Sequence, residues 1–122
     1  MINSAKATCS FFNLKENQTA LLCIPAKYIG GQMMIVRSIV NKLNLIVTKP
    51  SLQPLKNITS KIDFAAFTPQ QVFHILKENK KSFSLIENII IGGGKVNTNL
   101  LNELKDFKNN IFSTYGMTET CS

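Results

Sequence analysis

Four short, largely apolar runs, each followed by proline, glycine or a helix-start signal, constrain the fold of this chain more than any other feature. They are Ala20-Leu21-Leu22-Cys23-Ile24, Leu45-Ile46-Val47-Thr48, Asp63-Phe64-Ala65-Ala66-Phe67 and the run over 86–91 centred on Ile89-Ile90-Ile91. Apolar runs without a polar alternation are expected of strands covered on both faces. A fifth strand is expected over 110–114. Segments with helical spacing lie between these runs. Ala5, Cys9 and Phe12 fall on one face of a helix over 2–12. Gly30-Gly31 opens a helix over 32–43 that is apolar nearly all round through Met33, Met34, Ile35, Val36, Ile39 and Val40, so it is expected to be buried inside a larger body. Thr68-Pro69 is a helix start, with the hydroxyl as cap and proline in the first turn. Val72, Phe73 and Leu76 should form that helix's inner face, and Lys77 to Lys81 close it with the favourable charge. Leu100, Leu101, Leu104 and Phe107 mark one more amphipathic helix.

Strands alternating with helices predict an α/β fold: a mostly parallel sheet with flanking helices and right-handed crossovers. Ligands of such open sheets sit beyond the carboxyl ends of the strands. The segments Pro25-Ala26-Lys27-Tyr28, Thr68-Pro69, Gly92-Gly93-Gly94 and Tyr115-Gly116-Met117-Thr118-Glu119 each follow a predicted strand. They should therefore converge on one edge.

Composition narrows the function. At 122 residues the chain is one domain or part of one, and 44% hydrophobic content can furnish a core. The formal charge of +7 comes from 14 basic and 7 acidic residues. The lysines are scattered, with Lys80-Lys81 the one adjacent pair, and no aromatics interleave with them as on a base-stacking platform. No nucleic-acid partner is expected. No apolar run is long enough to span a bilayer. The three cysteines, Cys9, Cys23 and Cys121, have no metal spacing, and the first dozen residues hold no cleavable apolar leader. Reduced thiols and a cytoplasmic location are the expectation.

The segment Ser113-Thr114-Tyr115-Gly116-Met117-Thr118-Glu119 carries the most specific chemistry. Tyr115 offers a flat face for a base, and Gly116 lets the backbone approach a ligand closely. Thr118 can donate to a phosphate oxygen, and Glu119 can hold a hard cation such as Mg²⁺. The dull alternative is an ordinary polar turn. Gly92-Gly93-Gly94 reads either as a ligand-facing turn or as a tight strand-to-helix connection. It is no dinucleotide fingerprint, since Asn97 stands where the third glycine belongs, and no phosphate-binding loop of the Walker type, since Val96 follows Lys95. Arg37, the single arginine, lies inside the most apolar helix. A buried guanidinium needs an anion. That anion is a substrate carboxylate, reached directly or through water, or an internal Asp or Glu; alternatively, the stem extends to solvent. His74 has no second ligand at metal spacing and reads as a surface or packing residue. Gln70 and Gln71 read as polar residues of a helix start. Asp63 and Asp106 have no evident acid–base partner.

The string Tyr-Gly-Met-Thr-Glu-Thr at 115–120 resembles a core motif of the adenylate-forming (AMP-binding) superfamily of acyl-CoA synthetases, luciferases and peptide-synthetase adenylation domains. Gly92-Gly93-Gly94 sits where that superfamily has its glycine-rich acyl and adenine loop. Ile24-Pro25-Ala26-Lys27-Tyr28-Ile29-Gly30-Gly31-Gln32-Met33 is similar to the o-succinylbenzoate–CoA ligases of menaquinone synthesis, which often read Leu-Pro-Leu-Phe-His-Ile-x-Gly there. The resemblance covers nearly the whole chain but only the middle of such an enzyme. It implies that residues 1–122 are a central section of the large N-terminal adenylation domain, without the upstream phosphate loop and the C-terminal lid domain. It implies a reaction in which a small-molecule carboxylate and ATP give an acyl-adenylate, from which the acyl group passes to coenzyme A. Carried onto this chain, Gly92, Gly93, Gly94, Tyr115, Gly116, Met117 and Thr118 contact the nucleotide. Thr118 bonds the α-phosphate and Glu119 binds Mg²⁺, which makes these two the catalytic pair. Tyr28, Gly30, Arg37 and Gly93 line the carboxylate site.

Tyr28 departs from the commoner histidine, so it offers stacking or one hydrogen bond; otherwise it is a half-buried tyrosine. Lacking the remaining parts, the 122 residues alone are expected to be inactive and, with exposed apolar edges, open to self-association. Two rival readings remain: another acyl-CoA synthetase or adenylation domain, and a non-catalytic α/β module that binds a nucleotide or a partner.

Overall fold

A parallel sheet organises the chain, in the order the apolar runs dictate. The computed structural model describes residues 2–25, 29–56, 58–78, 80–92 and 97–113. Its strands are β1 (Thr19–Leu22), β2 (Asn44–Val47), β3 (Ile62–Phe67), β4 (Ile86–Ile91) and β5 (Asn110–Ser113), and its helices are α1 (Ile2–Phe11), α2 (Ile29–Val40), α3 (Pro69–Glu78), α4 (Lys80–Phe83) and α5 (Thr98–Leu104). The five strands form one sheet in the order β2-β1-β3-β4-β5, and every neighbouring pair is parallel. The α/β expectation holds, with each predicted strand within two residues of its place.

Side chains alternate across the sheet, and each face has its own cover. Leu21, Cys23, Ala65, Phe67, Ile89 and Ile91 point to the face covered by α3, α4 and α5, where Val72, Ile75, Phe83, Leu100 and Leu104 complete a core. Ala20, Leu22, Phe64, Ala66 and Ile90 point to the other face, against Cys9 of α1 and Met34 of α2. Two buried layers explain why the runs of β1, β3 and β4 show no polar alternation; β2, equally apolar, is instead a largely exposed edge strand. Asp63, which had no acid–base partner in sequence, has a structural one: its carboxylate accepts the Thr19 amide at 2.8 Å, fixing the start of β1 beside β3.

Two helix faces differ from the sequence reading. The inner face of α3 is Gln71, Val72, Ile75 and Leu76, while Phe73 is 47% exposed. Phe73 packs instead against His74, in a T-shaped pair, and beneath the Lys77 ammonium, on the outer side of the helix. In α2 the buried stripe is Met33, Met34, Arg37 and Ser38, and Ile39 is 72% exposed. That helix is therefore not buried all round. Its many apolar positions carry no phase information, so the pattern could not say which side turns inward. Helix α2 also begins at Ile29, ahead of the glycines expected to precede it. Burial of Met33 and Met34 outweighs the low helix propensity of Gly30 and Gly31.

Candidate active site

Strand order locates the candidate site. From β1 the chain steps outward to β2, then returns past β1 to lay down β3, β4 and β5 on the other side. The order reverses between β1 and β3, and in open parallel sheets the crevice outside the carboxyl ends at such a reversal is the usual ligand position. The described residues at this rim are Cys23, Ile24 and Pro25 after β1, Thr48 after β2, Thr68 and Pro69 after β3, and Gly92 after β4.

Backbone bonds continue the sheet to its rim. The Thr48 amide donates to the Leu22 carbonyl at 2.9 Å, and the Gly92 amide to the Phe67 carbonyl at 3.0 Å. Helix α3 is tied into the rim by a reciprocal cap. The Thr68 hydroxyl accepts the Gln71 amide at 3.2 Å, and the Gln71 side-chain oxygen accepts the Thr68 amide at 3.0 Å. This is the capping-box arrangement of a hydroxyl residue and a Gln three positions on. The other end of the same side chain leaves the helix: Gln71 Nε2 donates to the Cys23 carbonyl and to the Ser51 carbonyl, each at 2.9 Å. Sequence reasoning recognised the Thr68 cap but assigned Gln71 no more than a polar helix start. The Thr-x-x-Gln spacing was the available signal for half of its role; its partner 48 residues away has none.

Arg37 is the second unexpected feature. Its side chain is 3% exposed, yet among the described residues it forms no ion pair. Nε has no hydrogen-bond partner among the described residues. Nη1 reaches the Met34 sulfur at 3.8 Å, and the guanidinium lies 5.8 Å over the Phe64 ring. Burial pushes its pKa down to about 10, a shift that the nearby Cys9 opposes. Neither structural alternative raised by the sequence, an internal carboxylate or a stem reaching solvent, is found among the described residues. Cys23, at the end of β1, is an inert thiol: burial pushes it up to about 12, and it donates to the Ala66 carbonyl at 3.5 Å.

Of the remaining candidates, Gly30 lies in the first turn of α2 and Gly92 at the end of β4. Tyr28, Gly93, Gly94, Tyr115, Gly116, Met117, Thr118 and Glu119 lie outside the described residues. Among the described residues no group of three or more His, Cys, Asp or Glu gathers to hold a metal, and no helix is long and apolar enough to cross a membrane.

The AMP-binding enzyme family model matches residues 1–122, the whole of the chain. The chain belongs to the AMP-binding enzyme family. Within the family it is similar to the 2-succinylbenzoate–CoA ligase of Staphylococcus epidermidis, with 24% identity over 124 residues, covering 98% of this chain and 26% of that ligase. Among solved structures it is similar to an acyl-CoA synthetase (AMP-forming)/AMP-acid ligase II-like protein from Dyadobacter fermentans, with 33% identity and a TM-score of 0.89, covering 99% of this chain and 35% of that one. It also shares its fold with the o-succinylbenzoate coenzyme A synthetase of Bacillus subtilis solved with ATP and magnesium ion, at 22% identity and a TM-score of 0.75 over 98% of this chain and 26% of the other. This AMP-binding chain thus spans about a quarter of the length of the curated relatives it matches.

Proposed function

We propose that this chain is the central section of the adenylation domain of an acyl-CoA ligase acting on o-succinylbenzoate, in menaquinone biosynthesis. The parent would join the carboxylate to ATP with loss of pyrophosphate, then pass the acyl group to the thiol of coenzyme A. Family membership and the relatives named 2-succinylbenzoate–CoA ligase support the reaction class. The observation that carries the substrate is Arg37, buried without an anion among the described residues.

Helix α2 begins at the carboxyl rim of β1, and Arg37 is eight residues in, roughly 12 Å along the axis at 1.5 Å per residue. Helical side chains lean toward the N-terminus, and Nη1 reaches back to Met34, one turn nearer the rim, with the guanidinium over Phe64, the β3 residue paired with Ala20 below the rim. A substrate with a second carboxylate, set apart from the one being activated, would supply the missing anion. A monocarboxylate would leave the cation unpaired.

In this reading Tyr28, Gly30 and Gly93 flank the carboxylate. Gly92, Gly94, Tyr115, Gly116 and Met117 bear on the nucleotide. Negative charge builds on the α-phosphate as pyrophosphate leaves, and the Thr118 hydroxyl meets it as a fixed donor. The oxygen donors of Thr118 and Glu119 suit a hard cation, and Glu119 would hold the Mg²⁺ that screens the phosphates. The phosphate loop and lid lysine would belong to the rest of the parent, in the cytoplasm, and the 122 residues alone would be inactive.

Pyrophosphate exchange by the full-length parent tests the proposal. The expected result is a higher kcat/KM for o-succinylbenzoate than for fatty or aryl monocarboxylates. Arg37→Leu should raise KM for o-succinylbenzoate about tenfold or more, as loss of a charge-assisted bond implies, and leave monocarboxylates unaffected. Equal turnover of a fatty acid, or no effect of Arg37→Leu, would reject the substrate.

A further inference from the structure

We infer that Gln71 is a positioning residue: its single side-chain amide clasps three rim segments at the sheet's reversal point and sets the spacing of the carboxylate pocket's wall. The inference rests on the reading given under Proposed function.

The geometry is specific. Gln71 is 5% exposed, and its side-chain oxygen and both amide hydrogens are engaged. The oxygen takes the Thr68 amide, where β3 hands over to α3. The nitrogen holds Cys23, after β1, and Ser51, after β2. These contacts span 48 and 20 residues of sequence. Strands β1 and β3 flank the reversal, so the clasp bridges the two sides of the crevice. The segment it holds at Cys23 leads within five residues to Tyr28, and within seven to Gly30.

A purely structural role is a poor account of this arrangement. The β2–β3 connection already has its own anchor to α3: Gln53 Nε2 donates to the His74 carbonyl at 3.0 Å and to the Glu78 carboxylate at 2.7 Å. Leu55 of the same connection is fully buried in the core. What Gln71 adds is a link from that connection and from α3 to the end of β1. Removing it cuts the part-buried tie to Ser51 and leaves the buried Cys23 carbonyl without this donor, which is costly where water cannot enter. The end of β1 then shifts to find one. Gln71 touches no substrate in this account and acts through residues 23–30.

The test uses the full-length parent with Gln71→Leu and Gln71→Glu. The glutamate retains the acceptor for Thr68 and loses both donors, so the cap of α3 survives and the clasp does not. Pyrophosphate exchange should show KM for the carboxylate raised about tenfold or more, with KM for ATP within about twofold of wild type. The Gln71→Glu defect should shrink as pH falls, because a neutral carboxyl regains one donor, and the Gln71→Leu defect should not. Unchanged carboxylate KM in a folded variant, or equal loss for both substrates, overturns the clasp.

If the wild-type parent activates no o-succinylbenzoate, the substrate proposal has failed and the clasp is decided by hydrogen exchange alone. Faster exchange in the peptides containing Cys23 and Ser51, with β4 unchanged, supports it. Wild-type exchange in both peptides overturns it.

Discussion

A guanidinium buried with no anion among the described residues works against folding, so under the proposed function Arg37 would tie stability to ligand binding. Its pKa is lowered to about 10, chiefly by burial, so the unfolded chain holds that proton more tightly than the folded one. The penalty is fully present below pH 10 and is relieved as pH rises above about 10. At neutral pH it amounts to about 3 kcal/mol at 1.36 kcal/mol per unit. Arg37→Met, close in size and uncharged, should stabilise the chain by about 1–3 kcal/mol in urea unfolding at pH 7. The difference from wild type should narrow above pH 10. A destabilised Arg37→Met variant would mean that the cation has an anion after all. The same variant should bind a dicarboxylate more weakly, which separates a residue kept for its ligand from one kept for the fold.

Among the elements, α3 shows how local and distant signals divide. Thr68 and Gln71 satisfy each other's backbone amides, and the cap was half legible from Thr68-Pro69. Thr68→Ala should cost about 1–2 kcal/mol, and Thr68→Ser should recover most of it, measured by thermal or urea unfolding. An Ala variant as stable as wild type would mean that the cap is redundant with core packing.

Strands β1, β3 and β4 were legible because burial on both faces removes the polar alternation that otherwise blurs strand and helix. The direction of the strands followed from the helices between them, except across the β2–β3 connection, which holds no helix among the described residues. Helix phase was less legible. Phe73 belongs by hydrophobicity to the inner face of α3, yet Gln71 holds that place because its amide has three backbone partners to satisfy. On α2, Ile39 was expected to be buried and is exposed, while Arg37 is buried as one of its readings required; no local pattern records a ligand or a distant carbonyl. At the rim, the four segments were placed after strands by pattern alone. Of these, the strand ends at Cys23, Thr68 and Gly92 are described, while the motif over 115–119 lies outside the described residues.

Among the described residues the sheet ends at β2 on one side and β5 on the other, with no further strand beside either. Parallel sheets are ordinarily covered on both faces and at their ends of strand order, because unpaired N–H and C=O groups template further pairing. Strand β2 departs from that pattern: Val47 is 68% exposed and Ile46 is also exposed, with Ile39 projecting from the adjoining α2. On the far side Phe11 is 69% exposed and leans on Phe112 of β5. These apolar positions lie beside both open edges, where another polypeptide surface would bury them.

Two settings give opposite outcomes for one substitution. In the 122-residue chain, Val47→Lys should suppress concentration-dependent association in sedimentation velocity, because a charged edge resists strand addition. In the full-length parent, where the edge would be covered, the same lysine should destabilise by about 1–3 kcal/mol as a buried charge or a lost apolar contact. A wild-type chain that sediments as a monomer at about 100 μM, well within the micromolar-to-millimolar range where exposed edges associate, would show that its edges are protected by something other than a partner surface. Equal stability of wild-type and Val47→Lys parents would place β2 at the surface of the whole enzyme.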